Sequence, residues 1–164
     1  MNERPILGIS MGDPFGNGPE ITVRALADRA VYERCRPLVV GDVSSMAYAV
    51  KVAEKLGAPR LALRPVQSAA EAAFAYGTID VLDLGLVKAE QIPDTAGKDA
   101  PEPFGVGACA VGGEAAFQYV KKVIEMAMAG EIDATVTNAL SKEAINMAGH
   151  HYSGHTEIYA HYTN

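Results

Sequence analysis

The sequence predicts an α/β fold, an α/β/α sandwich built on a largely parallel sheet. Three features carry that prediction. Short apolar runs alternate with loops and helix-patterned stretches, the β-loop-α rhythm of a helix-covered parallel sheet. The first run, Ile6 to Ser10 (ILGIS), starts almost at the first residue, as the first central strand of such a sheet often does. The stretch from Ile132 to Glu157 (IDATVTNALSKEAINMAGHHYSGHTE) then gathers a strand that reads as buried, two helix starts and most of the histidines. Ligands of open α/β sheets collect at strand carboxyl ends, so a site is expected there.

After Ser10, Met11 to Glu20 (MGDPFGNGPE) holds three glycines and two prolines and reads as a sharply turned loop. Pro19 suits the first helical position, where a missing N–H costs nothing, and Glu20 beside it starts a helix carrying Ile21, Ala25 and Leu26. Pro37 to Gly41 is the next strand, with Asp42, Ser44 and Ser45 as candidate caps for a helix ending at Leu56 before Gly57. Arg60 to Leu63 reads as a third strand. Ser68 to Glu71 has capping-box spacing, but Gly77 and the strand-like Thr78 to Leu82 leave room for only a short helix. Gly85 to Pro103, rich in Pro, Asp, Lys and Gly, reads as an exposed connection, and an Ala-rich helix follows from about Val106 to Ala129, ending at Gly130. Asp133 to Thr137 is a short strand with Asn138 to Ser141 as the loop at its end. Ser141 is placed to cap a helix over Lys142 to Ala148, closed by Gly149 in the left-handed conformation. Ser153 or Gly154 opens a further helix carrying His155, Thr156 and Glu157.

Composition narrows the function classes. With 49% hydrophobic and 21% charged residues in 164, the chain suits one globular unit with a real core. No apolar run approaches the roughly 20 residues that span a bilayer. The start, MNERPILGIS, lacks a basic segment followed by an apolar signal core, which predicts a cytoplasmic protein. Cys35 and Cys109 are too few for a disulfide framework and read as reduced thiols. A net charge of -6 and a pI near 5.2 argue against a nucleic-acid partner, whose phosphates need clustered Lys and Arg. A locally positive pocket for a phosphorylated metabolite stays compatible with that sum.

Two helix amino-termini beside one strand end favour an anion through free N–H groups and positive dipole ends. Lys142, Thr156 and a protonatable His155 are the side chains that would complete a phosphate site. The other motifs carry less. Gly12 to Glu20 lacks both the GK[ST] ending of a P-loop and the G-x-G-x-x-G spacing of a dinucleotide turn, and a tight turn explains it as well as a ligand loop does. Asp13 leans toward function because a carboxylate at a strand's carboxyl end points into the ligand crevice, although Asp before Pro also shapes turns. Gly105, Gly107, Gly112 and Gly113 follow no strand and read as helix entry and close helix packing. His151 and His155 have the i, i+4 spacing of paired ligands, but the Tyr-Ser-Gly between them argues against one helix and so against a metal site made from His150, His151, His155 and His161. Taken by itself, His155 has the ordinary alternative of a capping or buried histidine.

MGDPFGNGPE at 11–20, VVGD at 39–42, DATVTNALSKEAINMAG at 133–149 and GHTE at 154–157, in this order and spacing, resemble the amino-terminal half of the 4-hydroxythreonine-4-phosphate dehydrogenase family. The TNALSKEAI and HHYSGHTEIYAHYT wording is more similar to the branch acting on 4-phospho-D-threonate or 4-phospho-D-erythronate than to the branch of pyridoxal phosphate synthesis. The resemblance implies NAD-dependent, divalent-metal-dependent oxidation of a phosphorylated hydroxy acid, with decarboxylation of a β-keto acid intermediate. It also implies the two-domain architecture shared with isocitrate and isopropylmalate dehydrogenases, acting as a homodimer. Residues 1–164 would be the amino-terminal part of that enzyme. The family's substrate-contacting His-Thr pair falls on His155 and Thr156. Lys142 matches a lysine of the family wording, with Asp13 and Glu157 as further site support. The family's three metal-binding histidines, for zinc, magnesium or cobalt, and most of its nicotinamide surface correspond to segments past Asn164. No residue here is therefore assigned to metal, NAD or the chemical step. Two other expectations stand beside this one: a non-catalytic phosphate-binding or dimerisation module, and a zinc-dependent hydrolase using the clustered histidines.

Overall fold

Ile6–Ser10 folds as the strand β1 and lies between two neighbours in the computed structural model, which describes residues 4–92 and 107–164. The chain continues through α1 (Gly18–Leu26), α2 (Arg29–Arg34), β2 (Arg36–Gly41), α3 (Val43–Lys55), β3 (Ala62–Val66) and β4 (Thr78–Asp83). It then runs through α4 (Ala110–Met128), β5 (Ala134–Thr137), α5 (Lys142–Met147) and α6 (His155–Thr163). The strands form one sheet in the order β3-β4-β2-β1-β5, with every neighbouring pair parallel. From β1 the chain moves to β2 on one side, then returns through α4 to place β5 on the other side. The loops after β1 and β5 therefore lie side by side at the carboxyl ends, where such sheets bind ligands in a crevice.

Burial explains why these residues make these elements. Leu38, Val39 and Val40 of β2 are fully buried, as a central parallel strand covered on both faces requires. Helix α4 lies over β1, β2 and β5. Tyr119 and Val123 of α4 join the main core, while its Phe117, Val120 and Ile124 face outward to form a second apolar cluster with Ile145 of α5 and Ile158 of α6. Gly113 makes this possible: a Cβ there would overlap the Ala144 carbonyl, so only a hydrogen lets α5 sit against α4.

Several expectations need correction. β5 is an exposed edge strand rather than a buried one, because among the described residues only β1 pairs with it; Val136 is 42% exposed. β3 lies at Ala62–Val66, two residues after the expected Arg60 start, in register with β4 from Ala62↔Thr78. Helix α1 carries Ile21, Ala25 and Leu26 as expected, with Leu26 buried beside Thr22 and Val23 while Ile21 and Ala25 face solvent. The long helix begins at Ala110 rather than near Val106, which with Gly105 lies outside the described residues. Ser68 makes no cap bond; Glu71 instead accepts from the Gln67 N–H at 3.0 Å. The connection expected from Gly85 is partly buried, since Val87 is 2% exposed; its residues 93–103 lie outside those described.

Asp42 holds the cap position of α3 but does not cap it. Its fully buried carboxylate accepts from the Leu86 and Val87 N–H groups at 3.0 and 2.6 Å and from the Tyr119 hydroxyl at 2.6 Å. Burial and the neighbouring Asp42 charge push the Tyr119 hydroxyl far above its ordinary range, so it stays a donor. Tyr119→Phe should cost about 1.5–3 kcal/mol by urea unfolding, the worth of a hydrogen bond to a buried charge. Unchanged stability would show that the carboxylate is already satisfied by its two backbone donors.

Candidate phosphate site

The crevice is built by two loops that hold each other. The Asp13 N–H donates to the Ala139 carbonyl at 3.0 Å, and the Asn138 N–H to the Ser10 carbonyl at 3.3 Å. The Asn138 side-chain amide donates to the Ser10 carbonyl at 3.2 Å and to the Thr22 hydroxyl at 2.7 Å, tying the end of β5 to α1. Gly12 adopts φ 82°, and a Cβ there would lie 2.5 Å from the Ala139 oxygen, so this glycine serves the closure of the two loops. The glycine-rich stretch is thus filled by the chain's own backbone, and it offers no open cradle to a dinucleotide.

At the mouth of β5 the expected helix starts are present. Ser141 caps α5 by accepting from the Ala144 N–H at 3.1 Å, and Gly149 follows with φ 88°. That bond spends one N–H group expected to face the anion, so the α5 terminus is partly self-satisfied. Helix α6 starts at His155 after Gly154, which has no side chain to cap it. The two starts adjoin: a Cβ on Gly154 would be 3.8 Å from the Lys142 Cε.

His155 is half-buried in this corner. Burial holds its imidazole below the ordinary histidine range, and a hydrogen bond to the Asn138 carbonyl offsets this only in part. The ring is therefore mostly neutral at pH 7 in the free chain, and the protonatable histidine expected from sequence would gain its charge only with a ligand. Its Nε2 is buried without a hydrogen-bond partner, the kind of orphaned polar atom that a ligand satisfies.

The neighbours divide by role. Thr156 is exposed in the first turn of α6, and Lys142 is exposed at the first position of α5. Glu157 reaches back to accept from the Ser153 N–H at 2.8 Å, which, ahead of the nearby Lys142 charge, holds its carboxyl below the usual range. Its carboxylate thus orders the start of α6. Asp13 accepts from the Phe15 N–H at 3.0 Å, shaping its own turn, and burial raises its pKa. A Cβ on Gly112 would lie 2.8 Å from its Oδ1, so Asp13 faces the start of α4. Asn138 was not singled out from sequence. An Asn between a strand and a helix cap is the one signal that pointed to it.

The other histidines have separate partners. His150 meets Glu114, His151 meets Asn146 at 3.0 Å, and His161 packs edge-on to Tyr152 and Tyr162. Among the described residues no three His, Cys, Asp or Glu side chains gather in a metal-holding group, so the donors present do not fit a divalent ion. The helix expected to be broken between His151 and His155 is broken, since α6 begins at His155. A hollow of about 660 Å³ between Arg36, Phe74 and Lys122 opens at the amino end of β1 and is lined by none of the candidate residues. The site thus rests on side-chain chemistry rather than on cavity size.

Residues 33–164 match the family of the pyridoxal phosphate biosynthetic protein PdxA. The chain belongs to the PdxA family. It is 42% identical over 161 residues to the D-threonate 4-phosphate dehydrogenase of Cupriavidus necator, covering 97% of this chain and 43% of that protein. Among solved structures, a 4-hydroxythreonine-4-phosphate dehydrogenase from Burkholderia phymatum superposes with a TM-score of 0.85 at 41% identity, over 99% of this chain and 44% of that one. The Klebsiella pneumoniae 4-hydroxythreonine-4-phosphate dehydrogenase gives 0.81 at 33% identity, over 98% and 44%. The chain therefore spans less than half the length of these PdxA-type relatives. The parallel α/β fold predicted from sequence is the fold of the matching half of those structures. Among the described residues no helix is long and apolar enough to cross a membrane.

Proposed function

We propose that this chain anchors the phosphorylated end of the substrate in an NAD-dependent, divalent-metal-dependent dehydrogenase. The substrate is a 4-phosphorylated hydroxy acid, 4-hydroxy-L-threonine 4-phosphate or 4-phospho-D-threonate or -erythronate, oxidised with decarboxylation. The names of the relatives support this class, and the threonate branch has the support of the Cupriavidus relative. The observation that carries the reading is the buried, unpartnered Nε2 of His155 at the uncapped start of α6. In this reading His155 and Thr156 grip the phosphoryl group, α6 supplies N–H groups and a positive dipole end, and Lys142 adds charge. The nicotinamide is the hydride acceptor. In this reading the chain contributes binding, with no residue assigned to the nicotinamide or the metal, as the amino-terminal part of a two-domain, homodimeric, cytoplasmic enzyme. Reduction of NAD by the full chain with these substrates and a divalent metal tests the reading. A phosphate-binding or dimerisation module without turnover is the second reading, and bound phosphate with no NAD reduction would select it.

The histidine chemistry makes a sharper test. With one ring N–H given to the Asn138 carbonyl, neutral Nε2 is a bare acceptor and cannot donate to a phosphoryl oxygen. Binding a phosphate dianion therefore takes up a proton. Below the free ring's lowered pKa the proton is already present, and above the pKa in the complex it is never gained, so affinity falls as pH rises between the two. Calorimetric titration with inorganic phosphate at about pH 8, where most of the free ligand is already the dianion, in buffers of different ionisation enthalpy and with the ligand's own proton release subtracted, should show uptake approaching one proton per phosphate. Proton-neutral binding would take His155 off the phosphate. The same shift makes the fold lose stability as pH falls from the ordinary value of 6.5 toward the folded one, because the unfolded chain protonates first.

A further inference from the structure

We propose that His150 and Glu114 are positioning residues for the phosphate site, whose contact sets where the connection between α5 and α6 presents His155. This rests on the phosphate reading of His155. The connection is bracketed by Gly149 at φ 88° and Gly154 at φ 152°, conformations that let the backbone turn at both ends. Its backbone bonds are local: the His150 N–H donates to Ile145 at 2.9 Å and the Tyr152 N–H to His150 at 3.1 Å.

What ties it to the rigid layer below is the His150 side chain. Its ring lies flat on Phe117, with centroids 3.6 Å apart and planes 13° from parallel. Its Nε2 donates to Glu114 Oε2 at 2.6 Å, and the other Glu114 oxygen accepts from Gln118 at 2.8 Å. Burial pushes the Glu114 carboxyl up, but the hydrogen bonds from Gln118 and His150 more than offset it, keeping the acceptor ionised. Glu114, Phe117 and Gln118 all stand on α4, the helix against which Ala144 of α5 is seated through Gly113. The chain between the buried Ile145 and Ile158 thus has a middle anchor at His150, and along the chain His155 lies between that anchor and Ile158. Without it, the contact with α4 would fall to the looser stack of Tyr152 on Phe117, at 5.7 Å, beside the His151–Asn146 contact to α5 and the bond from Ser153 to Glu157 of α6. A displacement near 1 Å is enough to spoil a site that grips through directed hydrogen bonds.

The test compares His150→Ala, His150→Phe, Glu114→Ala and Glu114→Gln in the full chain, with His155→Ala as reference, at a temperature where circular dichroism shows each folded. The readouts are the Kd for inorganic phosphate and the ring resonances of His155 by NMR. His150→Ala and Glu114→Ala should weaken phosphate binding by about tenfold and shift the His155 resonances. His150→Phe keeps the stack, and with it the fold, but drops the bond, and should lose affinity as Glu114→Ala does. Glu114→Gln keeps an acceptor in place and should stay within about twofold of the parent. Parent-like affinity and unmoved His155 resonances in the Ala variants would overturn the proposal, as would Glu114→Gln proving as damaging as Glu114→Ala. If His155→Ala itself binds phosphate like the parent, the phosphate reading fails first; if only His155→Ala is impaired, this proposal fails and that reading stands.

Discussion

Replacing His155 with Ala is expected to weaken binding of the phosphorylated substrate about 10- to 100-fold, the loss of one charge-assisted hydrogen bond. In a turnover assay of the full chain this appears chiefly as a raised KM. The contact is made to a part of the substrate remote from the reacting carbon and is shared by ground and transition states. His155→Gln offers a useful contrast. Its neutral amide donates without titrating, so it should restore part of the affinity while removing both the proton uptake and the pH dependence. Parent-like KM in His155→Ala would detach the ring from the substrate. Thr156→Ala should cost less, because a neutral hydroxyl at the exposed edge of α6 competes with water for the same oxygen.

The second large effect is expected from packing alone. Gly113→Ala adds only a methyl group, and in an isolated helix that change would stabilise by up to about 1 kcal/mol. Here the added Cβ would overlap the Ala144 carbonyl, a backbone atom that moves only if α5 moves with it. Overpacking of this kind costs about 1–3 kcal/mol or more, so the variant should unfold at lower urea despite its better helix propensity. Because α5 begins with Ser141 and Lys142, displacing it should also reduce phosphate affinity. A stabilised Gly113→Ala variant would mean that α5 yields to the added methyl group and that α4 is not the rigid base of the site.

How far the site could be read from sequence follows from how local each feature is. Ser141 capping α5, Gly149 in the left-handed region and the helix start at His155 depend on a few consecutive residues, and all three stand in the structure as expected. Gly112 and Gly113 as close-packing residues also stand, because their flanks excluded a strand. β5 went the other way. Its apolar, β-branched wording is that of a covered strand, yet its outer edge is open here, and covering is a property of neighbours rather than of the strand. Asp42 likewise has the chemistry of a cap, but Leu86, Val87 and Tyr119 outcompete the local N–H groups for its carboxylate, and no spacing along the chain reveals partners so distant.

By itself the sequence determined the alternation of strands and helices, the family, and the short stretch in which a phosphate site would lie, because these rest on local propensity and motif wording. The tertiary structure decided which of those residues are free to act. It turned Glu157 and Asp13 to backbone partners, set His150 against Glu114, and left the Nε2 of His155 buried without one. Protonation went with placement: removal from water, which no sequence window records, holds the imidazole below its ordinary range.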